Sequence, residues 1–126
     1  MSYADKSVLI CDDSVLARKQ LKDAICDYSD EITIYEAKNG QEAVDMYQKH
    51  SPDLVLLDIV MPEMDGTTAV EKIIASDPGA TIVIVSSVGT QLQLKKAISA
   101  GAKDFIQKPI ELSQVHNLIK THLGGK

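Results

Sequence analysis

The chain lacks any long unbroken apolar run, any surplus of positive charge and any cysteine framework. Each absence excludes a class of function. A membrane-spanning helix needs roughly 18 or more apolar residues in a row, and none is present. Nor does the stretch MSYADKSVLIC contain the apolar centre of a secretory signal. The two cysteines, Cys11 and Cys26, form no CxxC pair and join no Cys/His cluster, so no zinc pattern exists. They read as buried or half-buried free thiols of a reducing cytosol. Eighteen acidic residues against thirteen basic ones give a net charge of −5, which opposes a general grip on a nucleic acid backbone. There is no internal repeat and no low-complexity linker. The expectation is one cytoplasmic domain over residues 1–126, long enough to build its own core, with no membrane or direct nucleic acid partner.

What is present is alternation. Short apolar runs occur at Val8–Cys11, Ile32–Tyr35, Leu54–Leu57, Ile82–Val85 and Phe105–Ile106. Most are rich in Val, Ile or Leu and lack polar alternation, as strands do when both faces are covered. Between them lie amphipathic stretches. Val15–Tyr28 places Leu16, Leu21 and Ile25 near one face. Gln41–His50, Thr67–Ser76, Leu92–Ala100 and Ser113–Leu123 repeat the helical period, with Gly101 as a stop and Ser113 as a cap. Five βα units predict an α/β fold: a five-stranded parallel sheet with five helices on both faces. The doubly wound, flavodoxin-like order 2-1-3-4-5 fits, and such sheets bind ligands beyond the carboxyl ends of their strands.

The residues at those ends carry complementary chemistry. Asp12 and Asp13 follow the first run, Asp58 ends the third, Ser86–Ser87 follow the fourth and Lys108–Pro109 follow the fifth. In the order 2-1-3-4-5 the first and third strands are neighbours, so the three carboxylates converge. Clustered carboxylates repel unless a cation is present, and an all-oxygen set with room for water suits Mg²⁺. A cation and a lysine around a carboxylate can stabilise a phosphoryl group. Asp58 can attack phosphorus and carry an aspartyl phosphate, with Ser86 donating to the new oxygens and Lys108 pairing with them. Singly, each residue has a plainer reading. Asp12–Asp13 can start a helix, Asp58 and the serines can be turn residues, Lys108 can be a solvated loop lysine, and Phe105 can be core. The coincidence of four strand ends at one edge favours a site.

LICDDS, PDLVLLDIVMPEMDG, IVIVSS and AGAKDFIQKP together resemble the receiver domain of two-component response regulators over essentially the whole chain. The resemblance implies that Asp58 is the phosphoacceptor, and that Asp12, Asp13, Asp58 and the backbone carbonyl of Val60 hold Mg²⁺. It implies that Ser86 is the switch hydroxyl, Lys108 the phosphate-binding lysine and Phe105 the aromatic switch residue coupled to helix four, strand five and helix five. It further implies phosphotransfer from a partner histidine kinase, catalysed by the domain itself, and self-dephosphorylation. The output is then protein binding. The chemotaxis type, whose target is the flagellar motor switch, is the nearest match. A phosphorelay intermediate that serves a histidine phosphotransferase, or an excised receiver of a transcription regulator, shares the same chemistry. In this reading the apolar run anchors Asp58, Met61–Pro62 stiffens its exit, and Gly66 permits a tight turn.

From another class, a Mg²⁺-dependent phosphatase is the alternative. EMDGTT (Glu63–Thr68) partly echoes a phosphatase motif, but Glu63 stands where that motif has its nucleophilic aspartate. A flavin-binding reading is opposed by Asp12–Asp13, which occupy the place of a phosphate-binding loop. His50, His116 and His122, with Lys95 and Lys96, read as solvated. Val60 and Val88 lie two residues beyond Asp58 and Ser86. The resemblance places them beside the phosphoryl group, where valine cannot hydrogen-bond an attacking water. The expectation is a long-lived phosphoform. The double variant Val60→Asn, Val88→Glu should lose its phosphoryl group faster than the parent in a time course of intact mass, and an unchanged rate would refute the idea.

Overall fold

The computed structural model describes residues 3–59, 66–87 and 91–123. Val60, Met61–Pro62, Glu63 and Val88, each considered in the sequence reading, lie outside the described residues.

In chain order the elements are β1 (Ser7–Cys11), α1 (Val15–Tyr28), β2 (Thr33–Ala37), α2 (Gly40–His50) and β3 (Leu54–Asp58). They continue as α3 (Gly66–Ser76), β4 (Ile82–Ser86), α4 (Gln91–Ala100), β5 (Asp104–Gln107) and α5 (Leu112–His122). All strand pairs are parallel and the order is β2-β1-β3-β4-β5, as expected. The period of two along each strand divides the core. Leu9, Cys11, Val55, Leu57, Ile82 and Ile84 face α2, α3 and α4 through Val44, Val70, Ile73 and Ala97. Val8, Ile10, Leu54, Leu56, Val83 and Val85 face α1 and α5 through Leu21, Ile25, Val115 and Ile119. β3 and β4 are buried along their whole length, which explains their unbroken apolar runs.

Several local expectations need correction. β2 runs from Thr33 to Ala37, starting one residue and ending two residues later than its apolar run Ile32–Tyr35, because it is a half-exposed edge strand. Leu16 is 65% exposed. It stands five residues before Leu21, about 140° away around a helix of 3.6 residues per turn. Ser113 is not a cap: Glu111 precedes α5 and makes no side-chain cap bond. Cys26 is exposed, whereas Cys11 is buried. The histidines are packed rather than solvated. His50 stacks on Tyr35 with ring centroids 4.0 Å apart, and His116 lies against Tyr28. His122 is half-buried, 3.7 Å from Asp104.

Gly66 is required for space, not for a positive φ. Its amide donates to the carbonyl of Ile59 at 2.8 Å, which folds the start of α3 back against the end of β3. A Cβ there would lie 2.5 Å from Ile59 Cα and 2.6 Å from the carbonyl oxygen of Asp58. Both are backbone atoms, so a methyl group must displace the segment that carries Asp58. Gly101, by contrast, does adopt φ +130° where α4 stops. Gly66→Ala should destabilise the fold by about 1–3 kcal/mol, the usual cost of overpacking, measured by urea unfolding; a neutral result would refute the steric reading.

Candidate functional site

Asp12 follows β1 directly, and every polar group it carries is engaged. Its amide donates to the carbonyl of Ala37 at 3.1 Å, continuing the β1–β2 ladder past the strand end. Its Oδ1 accepts the Ser14 amide at 2.9 Å, and its Oδ2 accepts the Lys108 ammonium at 2.8 Å. The backbone carbonyl accepts Nη1 of Arg18 at 2.7 Å. Ser14 caps α1 by accepting the Ala17 amide on its hydroxyl. The Asp12 side chain is thereby oriented before any ligand arrives.

Asp58 is the last residue of β3 and is buried, as is Asp12. Asp13 is exposed. One carboxylate oxygen from each of the three falls within 4.8 Å of the others. Lys108, just past β5, also reaches Asp58, with Nζ 3.4 Å from Oδ2. Its backbone amide donates to the carbonyl of Ser86 at 2.6 Å, holding the turn after β5 against the end of β4. Ser86 is buried at that strand end. Thus Asp12, Asp13, Asp58, Ser86 and Lys108 meet at the carboxyl edge of the sheet, as the sequence predicted. Phe105, by contrast, is 48% exposed, so the core reading of this ring does not hold.

The electrostatics follow from burial. Two carboxylates inside the protein need compensation, and Lys108 supplies it. Burial alone would lower the lysine's pKa, but the hydrogen bond to Asp12 and the charges of Asp58 and Asp12 outweigh it, so the pKa is raised. Counted formally, three carboxylates and one ammonium leave −2, and every side-chain donor to a cation in the trio is an oxygen. That set fits a hard divalent ion. Cys11, behind Asp12, is unsuited to act as ligand or nucleophile: burial, then the charges of Asp12 and Asp58, push its thiol pKa far up.

The profile of the response regulator receiver domain matches residues 8–120. The chain belongs to that family. It is 47% identical over 110 residues to the chemotaxis protein CheY of Thermotoga maritima, covering 87% of this chain and 91% of the relative. It is 45% identical over 117 residues to CheY of Bacillus subtilis, covering 93% and 97%. Among solved structures, the receiver domain of NtrX from Brucella abortus superposes with a TM-score of 0.86 at 26% identity, over 94% of this chain and 99% of that one. The CheX–CheY–BeF3–Mg²⁺ complex from Borrelia burgdorferi matches with a TM-score of 0.85 at 36% identity, over 96% and 90%.

Sequence reasoning missed Ser14 and Arg18, which hold Asp12 in place. Arg18 lies beside Lys19 and near Lys22, and its charge alone does not distinguish it from a solvated helix cation.

Removing Lys108 should expose the cost of the two carboxylates. Lys108→Met is expected to lose about 3 kcal/mol, the low end for breaking a buried pair, because the lysine side chain keeps 27% exposure. A lysine with a raised folded pKa contributes fully below its unfolded value and loses that contribution as pH rises through the folded one. The gap between parent and variant should therefore be constant near pH 8 and close above about pH 10.4. Urea unfolding of both proteins across that range checks this, and a gap independent of pH would contradict it.

Proposed function

We propose that this receiver accepts a phosphoryl group on Asp58, with Asp12, Asp13, Asp58 and the backbone carbonyl of Val60 as ligands of Mg²⁺. The observation that carries the reading is the convergence of three carboxylates with Lys108 between the two buried ones. The donor is a phosphohistidine of a partner kinase. An Asp58 oxygen attacks phosphorus, the new P–O bond forms as the P–N bond breaks, and the bonding pair returns to the imidazole nitrogen, which takes a proton. Lys108 meets the charge spread over the phosphoryl oxygens, and the Ser86 hydroxyl donates to one of them. Mg²⁺, when bound, offsets the remaining negative charge.

The output is a change in protein binding. A cavity of about 250 Å³ lies between Ser86, Ser87, Gln91, Leu94, Gln107 and the half-exposed ring of Phe105. Movement of Ser86 toward a phosphoryl group would open that space to the ring. An apolar groove of about 660 Å³ runs beside it, lined by Leu92, Leu94, Ile98 and Phe105 among others. The ring's position therefore alters a surface that a partner can read. The relatives named CheY support chemotaxis as the pathway. A histidine kinase is then the donor and the flagellar motor switch the target; a histidine phosphotransferase would be the target in a phosphorelay.

Incubation with acetyl phosphate and Mg²⁺, followed by intact mass measurement, tests the chemistry. The protein should gain one phosphoryl group, and both Asp58→Asn and EDTA should abolish the gain. A gain that survives in Asp58→Asn would remove Asp58 as the acceptor.

A further inference from the structure

Asp13 differs from its two neighbours in the acidic trio. It is exposed, and among the described residues its carboxylate makes no hydrogen bond or ion pair. Asp12 and Asp58 both repel it. Its direction therefore depends on the peptide that joins it to Asp12. That peptide's carbonyl oxygen is the atom that Nη1 of Arg18 holds at 2.7 Å. Arg18 is itself held: Nε donates to Oε1 of Glu36 at 3.1 Å, and its side chain is only 15% exposed. Glu36 sits in β2 opposite Ile10 of β1, so the clamp is anchored in the sheet. Lys22 lies 3.7 Å from the other Glu36 oxygen.

We propose that Arg18 is a positioning residue: it locks the Asp12–Asp13 peptide and so aims the Asp13 carboxylate at a cation beside Asp58. The inference rests on the reading of the trio as a Mg²⁺ site. Arg18 acts on the ligands through the backbone and touches neither ion nor phosphoryl group. Its five donors in a planar fork let one side chain span a carbonyl and a carboxylate, which a lysine ammonium cannot do with the same geometry.

Mg²⁺ alone is the probe, titrated calorimetrically into the metal-free protein, with urea unfolding in EDTA run alongside. Arg18→Met removes the donors and keeps much of the side chain's bulk. It should bind Mg²⁺ about ten-fold more weakly or worse, the usual cost of losing a partner that orients a ligand. Arg18→Lys keeps the charge and should recover only part of that loss. Wild-type affinity in Arg18→Met, or full recovery in Arg18→Lys, would overturn the proposal, the second by showing that charge alone suffices. A loss of folding stability with Mg²⁺ affinity intact would reduce Arg18 to a staple between α1 and β2 and overturn it equally. If Arg18→Met does not fold, Glu36→Gln loosens the same clamp from its far side. It should weaken Mg²⁺ binding, by less than Arg18→Met does, because an amide oxygen still accepts from Arg18 but without the charge, and no change would overturn the proposal. At saturating Mg²⁺, Arg18→Met should still gain a phosphoryl group. If the parent gains none, either the receiver takes phosphate only from its kinase or the reading of Asp58 fails, while the titrations still decide on Arg18.

Discussion

One ammonium group sits between two buried carboxylates, and much of the molecule is arranged around that contact. Lys108 joins the ends of β1 and β3 across 96 and 50 positions of sequence. In the order β2-β1-β3-β4-β5 it must reach past the end of β4 to do so. Two features let it: β4 finishes on the small Ser86, and the lysine's own amide is tied to the Ser86 carbonyl. Buried charges without partners are strongly destabilising. Close packing alone would tolerate several arrangements of the loops at this edge, but few satisfy all three charged groups at once. The site is thus also a constraint on the fold.

The strands were readable where the sheet is deepest. Leu54–Leu57 and Ile82–Val85 are apolar on both faces because helices cover both. Legibility falls toward the edges. β2 alternates weakly and extends past its apolar run to Ala37, which brings in Glu36, the partner that holds Arg18. β5 contributes only Ile106 to full burial, and its aromatic neighbour points to solvent. Leu16 departs from expectation for a different reason. Its apolar character suggests burial, while the helical period puts this residue off the face formed by Leu21, Ala24 and Ile25.

The site residues were legible because they break rules at fixed places. A carboxylate at the end of an apolar strand interrupts a pattern, and four strand ends do so at one edge. Arg18 interrupts nothing. Its role comes from standing one turn beyond the Ser14 cap, where a helical side chain leans back toward the N-terminus. The available signal was positional: an arginine four residues after a cap that itself follows two aspartates. Without the structure it competes equally with Lys19, which instead forms an exposed pair with Asp23.

The proposed switch can be weighed in energies. Phe105 is about half exposed. Burying a whole phenylalanine side chain is worth about 1.5–3 kcal/mol, so completing its burial adds roughly half of that. Moving a two-state equilibrium from 1:99 to 99:1 takes about 5.5 kcal/mol. The ring therefore cannot drive the change; it can only report it. The larger share must arise in the crevice, where hydrogen bonds to charged groups contribute about 1.5–3 kcal/mol each. Contacts from Lys108 and Ser86 to a phosphoryl group would together be of that order. But Lys108 is already paired with Asp12 and Asp58, so only the difference between old and new partners counts. A divalent cation that takes over the compensation of Asp12 and Asp58 would free the lysine for the phosphoryl oxygens. Lys108 would then change partners during switching, and the rigidity of the acidic trio matters because that exchange must leave no carboxylate uncompensated.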